Sequence, residues 1–170
     1  MIINRKWAMP NSRTFDINPI RQLILKYLRG YSVDPFAKDC HLATLTNDLD
    51  TNTTADRHED ALDFLKSIPD NSVDTMLYDP PYSPRQVSEC YKKIGGCVDM
   101  QTTQSSYWSN QKKEIARAVK PGGICISCGW NSGGIGKSYG FEIQEILLVA
   151  HGGHHNDTIV TVERKRGKGE

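Results

Sequence analysis

The segment Val73 to Tyr78 reads as a β-strand that stops abruptly at Asp79-Pro80-Pro81-Tyr82. Neither proline can donate to a sheet ladder, and each fixes its own φ near −65°, so the chain must leave the sheet there. An acidic residue is thereby delivered at the end of a strand into a stiff loop, with an aromatic ring just beyond it. The Asp79 carboxylate and the Pro80 carbonyl, which has no intervening N–H to bond, form a pair of acceptors suited to gripping one planar NH2 group.

Around this point the chain alternates between helix and strand patterns. Pro19 opens a helix with Ile20, Leu23, Ile24, Tyr27 and Leu28 at helical spacing and Gly30 as its cap. Tyr31-Ser32-Val33 and Ala43-Thr44-Leu45-Thr46 read as strands, with too few residues between them for a full crossover helix. Asp60 to Lys66 forms a short helix through Leu62 and Leu65. After the Val73 strand, residues Ser83 to Gln104 are polar and turn-rich, and Trp108 to Val119 is helical. Pro121-Gly122-Gly123 turns into the apolar strand Ile124 to Cys128. Phe141 to Val149 and Thr158 to Glu163 read as a hairpin joined through residues 151–157. The expectation is a single α/β domain over residues 1–170, mostly parallel, with an antiparallel C-terminal hairpin.

Composition narrows the classes. With 38% hydrophobic and 24% charged residues, disorder and low complexity are excluded. The longest apolar run, Ile146 to Ala150, falls far short of the roughly 18 residues of a bilayer span, and the polar start Met1 to Lys6 is unlike a signal peptide. A cytoplasmic protein without a membrane partner is expected. Five cysteines without an export signal predict reduced thiols. Cys125 and Cys128 have half a zinc-ribbon spacing but no second pair, and His151, His154 and His155 have only Asp157 nearby, so no metal site is expected. Gly133 to Ser138 lacks the spacing of a phosphate-binding loop. The net charge of +1 conceals zoning: residues 34–79 carry eleven acidic against three basic groups, whereas residues 80–137 carry eight basic against three acidic. That division suits an acidic pocket for a cationic or hydroxyl-rich ligand beside a basic rim for a polyanion.

Asp79-Pro80-Pro81-Tyr82 resembles the signature of the S-adenosylmethionine-dependent amino-methyltransferases, specifically the DNA adenine N6-methyltransferases of phage and bacterial type. Other segments join it. Val33-Asp34-Pro35-Phe36-Ala37 is similar to their first cofactor motif, and Asn47-Asp48-Leu49 to the acidic end of their second strand. Asp60-Ala61-Leu62 is similar to the segment on the cofactor's adenine, and Asn11 to Ile20, with Thr14 and Phe15, to the loop over its methionine part. One departure stands out: Lys38-Asp39-Cys40 occupy the places where that family usually carries glycines.

The resemblance implies a Rossmann-like methyltransferase fold in three parts: an N-terminal arm and helix (1–30), a cofactor-binding half (31–78) and a catalytic half (79–166). It implies S-adenosylmethionine as cofactor, with Asp48, or Asp50 in reserve, on the ribose hydroxyls and Asp34 near the methionine end. Asp79 and Pro80, stiffened by Pro81, would hold the N6 amine of an adenine extruded from DNA, and Tyr82 would stack on the base. Arg85, Lys92, Lys93, Lys112, Lys113, Arg117 and Lys137 are candidate phosphate contacts, with Tyr91, Tyr107 and Trp130 as stacking surfaces. Target recognition falls to the stretch Ser83 to Tyr107, the loop Trp130 to Tyr139, a separate specificity subunit or a homo-oligomer. RNA adenine, cytosine N4 and a protein amide present the same planar NH2, and a cofactor-binding module without turnover remains the alternative from another class.

Overall fold

A computed structural model describes residues 1–95, 105–167 and 169. In chain order the elements are β1 (Ile2–Trp7), α1 (Asn18–Tyr27), β2 (Ser32–Asp34), β3 (Leu45–Thr46), α2 (Ala61–Ser67), β4 (Val73–Tyr78), α3 (Pro84–Lys93), α4 (Ser106–Ala118), β5 (Val119–Gly129), β6 (Phe141–Ala150) and β7 (Thr158–Lys165). The strands form one seven-stranded sheet in the order β1-β6-β7-β5-β4-β2-β3. All neighbours pair in parallel except β7, which runs antiparallel to both β5 and β6. Every strand but β7 therefore points its carboxyl end at the same edge of the sheet. The expected α/β architecture with a C-terminal antiparallel hairpin is what forms.

Period-two alternation sorts the sheet's side chains onto two apolar layers. Leu77, Ile124, Ile126, Cys128, Val160 and Val162 face one side, where Ile20, Leu23 and Ile24 of α1 cover them. Met76, Tyr78, Val119, Cys125 and Phe141 face the other, under Phe64 and Leu65 of α2 and Ile115 of α4. Each fully buried aliphatic or aromatic side chain contributes on the order of 1.5–3 kcal/mol, so both layers are needed to hold the sheet between its helices. Asp60 caps α2 by accepting from the Leu62 N–H at 2.9 Å. No helix among the described residues is long and apolar enough to cross a membrane.

The structure departs from the sequence reading at five places, the first being the end of α1, which is capped at Leu28 and not at Gly30. Residues 2–7 are no loose arm but an edge strand, parallel to β6 from Ile2 opposite Glu145 to Trp7 opposite Ala150. Part of the stretch read as turn-rich is helix α3, because Ser83 acts as its N-cap, accepting from the Gln86 N–H at 3.3 Å, with Pro84 in the first turn. Its remainder, residues 96–104, lies outside the described residues. Lys120 to Gly123 does not precede β5 but interrupts it as a bulge: the register jumps from Val73 opposite Val119 to Thr75 opposite Ile124. The second strand shrinks to Leu45–Thr46.

Candidate active site

β2 has β3 on one side and β4 on the other, so the chain reverses its direction of travel across the sheet at β2. Ligands of open α/β sheets bind in the crevice outside the carboxyl ends of the strands at such a point. A cavity of about 850 Å³ opens there. Asp34 ends β2 and Asp79 follows the end of β4, with Val33 opposite Met76 in register, which brings the two acids to the same rim.

Of the sequence-nominated residues, Thr14, Pro35, Phe36, Asp48, Leu49, Asp60, Ala61, Asp79, Pro80, Pro81 and Tyr82 line this cavity. The other four do not. Asn11 is exposed and accepts from the Arg13 N–H at 2.9 Å. Phe15 is turned into the core beneath α1, and Ala37 is buried. Asp34 is fully buried behind the wall: Oδ1 accepts from the Phe36 N–H at 3.0 Å, and Oδ2 has no partner among the described residues. Burial, with Asp79 and Asp48 close by, pushes its carboxyl well above the ordinary range.

The turn after β2 carries Lys38 where a glycine would be the easy choice. Its φ is +51°, a left-handed conformation that costs an L-residue about 1–2 kcal/mol. Two contacts hold it: its N–H donates to Asp48 Oδ2 at 2.9 Å, and its Nζ donates to the Ser12 carbonyl at 2.7 Å. The tight turn thus forms without glycine, and Asp48 is oriented on the cavity wall, where its Oδ1 also accepts from the Asp50 N–H at 2.9 Å. Asp60, besides capping α2, accepts a hydrogen bond from the Tyr91 hydroxyl of α3.

The loop after β4 is fixed from several directions. The Tyr82 hydroxyl donates to Asp79 Oδ1, the Tyr82 N–H donates to Gln86 Oε1 at 2.6 Å, and the Trp108 indole donates to the Pro81 carbonyl at 2.8 Å. Burial raises the Asp79 carboxyl above its ordinary value, while hydrogen bonding by Tyr82 and Thr14 opposes that rise. The Tyr82 ring does not lie open to solvent but meets Trp130 edge to face, with centroids 5.7 Å apart. Trp108 was not legible as a site residue, since it lies 27 residues from Pro81, and Gln86, four residues from Tyr82, was not because Ser83-Pro84 read as a turn rather than as the start of a helix.

A second cavity, about 350 Å³, lies on the other side of the same loop. Pro80, Pro81 and Tyr82 are shared by both cavities, so the diproline segment is a partition between them. Tyr78, Trp108, Lys112, Cys128, Trp130 and Asn131 complete much of the smaller one.

The nominated cations separate into different roles. Arg117 is consumed by Asp70, Glu114 and the Leu65 carbonyl, and Arg85 pairs with Glu89. Lys93 borders the larger cavity, Lys112 borders the smaller, and Lys92, Lys113 and Lys137 are exposed. His151 is buried between the Ala8 carbonyl at 2.9 Å and Thr158 Oγ1 at 2.8 Å, tying β1's end to the hairpin.

No protein-family model and no curated protein sequence matches the chain. Solved structures do match. TrmN from Thermus thermophilus is 17% identical over 91% of this chain and 53% of its own, with a TM-score of 0.56. A SAM-dependent methyltransferase from Methanosarcina mazei is 12% identical over 85% of this chain and 97% of its own, with a TM-score of 0.53. The 1,6-didemethyltoxoflavin-N1-methyltransferase of Burkholderia thailandensis, solved with S-adenosylhomocysteine, is 11% identical over 80% and 71% of the two chains, with a TM-score of 0.51. The chain thus spans about half the length of TrmN but nearly all of the Methanosarcina protein. What these likenesses show is the architecture: a Rossmann-like sheet of the kind on which SAM-dependent methyltransferases are built.

Proposed function

We propose that the protein transfers a methyl group from S-adenosylmethionine to the N6 amine of adenine in DNA. The observation that carries this reading is the diproline partition: Pro80, Pro81 and Tyr82 stand between a large acidic cavity, which Asp79 lines, and a small aromatic one. Donor and acceptor can be held on its two sides and meet across it.

The larger cavity fits the cofactor. In this reading Asp48, held by the Lys38 turn, takes the ribose hydroxyls, Asp60 and Ala61 the adenine end, and Thr14 with the wall formed by Pro35 and Phe36 the methionine end, a reading supported by their shared place on the cavity lining. The bound S-adenosylhomocysteine of the Burkholderia neighbour supports the same choice. When bound, S-adenosylmethionine would supply an electrophilic methyl carbon whose leaving group, a neutral thioether, keeps the electron pair of the broken carbon–sulfur bond.

The protein's part is to make a poor nucleophile competent. An adenine amine delocalises its lone pair into the ring, and two acceptors gripping its hydrogens favour the pyramidal form. Tyr82 occupies one Asp79 oxygen and fixes the carboxylate's orientation, so its other oxygen and the Pro80 carbonyl are the acceptors for the amine. The amine becomes acidic once methylated, and its proton then leaves through Asp79 to water, so no separate strong base is required. The aromatic walls of the smaller cavity suit a flat extruded base, and stacking on such walls is worth about 1–3 kcal/mol.

The decisive experiment is to incubate the protein with labelled cofactor and, side by side, DNA, RNA and protein, then identify the modified group by mass spectrometry. N6-methyladenine in DNA is the expected product. Label in RNA, cytosine or a protein amide would overturn the substrate, and cofactor binding by titration without turnover on any acceptor would favour a regulatory module.

A further inference from the structure

Glu163 has no place in the chemistry above, yet it is a carboxylate with no solvent exposure in the middle of the sheet. On β7 it pairs in register with Cys125 of β5 and Ile143 of β6, and its neighbours along the strand are the buried Val162 and the half-buried Arg164. A carboxylate in such surroundings is costly unless each oxygen is satisfied. Here both are, by one loop: Oε2 accepts from the Ile135 N–H at 2.6 Å and Oε1 from the Gly136 N–H at 2.9 Å. The loop is shaped to reach them. Gly134 has φ +52° and Gly136 has φ +103°, and a Cβ on Gly134 would collide with the Glu163 carboxylate. Ile135 itself is 2% exposed and anchored among Phe64, Tyr78 and Ile115. The opposite side of the same loop presents Gly129, Trp130, Asn131 and Gly134 to the smaller cavity.

We propose that Glu163 is a positioning residue for the acceptor: it clamps the loop of residues 129–136 from behind and so sets Trp130 against Tyr82 at the mouth of the smaller cavity. Naming that cavity as the acceptor's rests on the function proposed above; the clamp itself does not. The back of the loop carries the anchor and its front carries the ligand surface, so losing the anchor weakens acceptor binding while the cofactor cavity, which shares none of these loop residues, keeps its affinity.

Glu163→Gln replaces one of the two acceptors with an amide NH2 that faces a backbone donor. It is expected to raise the acceptor KM about tenfold, as for loss of one charge-assisted hydrogen bond, with kcat and the cofactor Kd retained. Gly134→Ala, which forces the loop off the carboxylate from the other side, is expected to free the same two amides to exchange and serves if Glu163→Gln does not fold. A folded variant with unchanged acceptor KM, or one whose cofactor affinity falls alongside acceptor affinity, overturns the proposal. Hydrogen exchange supplies a readout that needs no turnover: the Ile135 and Gly136 amides are expected to be protected in the wild-type protein and to lose protection in the variants. If the wild type methylates nothing, the functional reading fails while the exchange data still decide the clamp; rapid exchange of both amides in the wild type overturns the clamp alone.

Discussion

The larger of the two cavities that meet at Pro80, Pro81 and Tyr82 is lined by Asp39, Asp48, Asp50, Asp60, Asp79 and Glu89, with Arg13, Lys38 and Lys93 as the cations among its described lining residues. The smaller is lined by Tyr78, Tyr82, Trp108 and Trp130, with Lys112 as the one charged side chain among its described lining residues. Charge and hydroxyl recognition suits the first, flat apolar contact the second. The contrast repeats along the chain, because five of the first cavity's six acids come from the acidic zone of residues 34–79, whereas the second draws on the basic zone that follows. Two cavities of different chemistry thus meet in one domain, and a stiff loop keeps them apart.

The strongest challenge to that division is at the partition. Asp79→Asn keeps the shape of the loop but removes a preorganised charged acceptor, and kcat for methyl transfer is expected to fall about 10²–10³-fold with cofactor affinity by calorimetry unchanged. Trp130→Ala comes next: loss of a stacking wall is expected to raise the acceptor KM about 5- to 100-fold in initial-rate assays. Weakened cofactor binding in that variant would show that the cavities are not independent. Asp48→Asn reverses the pattern, with the cofactor Kd rising about tenfold and the acceptor KM unmoved.

A smaller effect concerns pH. Asp79 accepts fully only when ionised, and burial raises its carboxyl above the ordinary value, so turnover is expected to decline with falling pH earlier than an ordinary carboxylate would dictate. Tyr82→Phe removes a hydrogen bond that holds that value down, and the acidic limb of the rate profile should move further up. The stability consequence has the opposite sign to that of a salt-bridged acid. The folded state binds this proton more tightly than the unfolded one, so ionised Asp79 costs stability as pH rises above 3.8, and Asp79→Asn should gain in relative Tm over that window. The smallest expected change is Lys38→Gly, which relieves the left-handed strain of about 1 kcal/mol but loses the Nζ tether to Ser12; a Tm shift of a few degrees in either direction measures which dominates.

The helices and central strands were legible because they carry strong one-sided or continuous apolar patterns, as in Ile20, Leu23 and Ile24 or Val73 to Tyr78. β1 was not, because all six of its residues are exposed and no burial periodicity marks it. Part of α3 was hidden by Ser83-Pro84, which reads equally as a turn or as a helix start until the fold chooses. At the site, the acids and prolines announced themselves as short motifs. Phe15 failed as a cavity residue because an aromatic ring beside an apolar helix serves the core equally well. Trp108 and Glu163 act across long sequence separations, for which a local pattern holds no trace, whereas Gln86 lies only four residues from Tyr82 and stayed hidden with the rest of α3.

The reversed strand has a consequence for how the chain is made. β7 alone joins β5 to β6, and β6 in turn carries β1. During synthesis the first six residues of the sheet's far edge emerge long before their partners, and the already formed β5 must present an open edge until residues 158–165 clear the ribosome. Assembly of this protein is therefore expected to finish as a late, long-range event, with the nascent chain most prone to wrong pairings just before its last strand arrives.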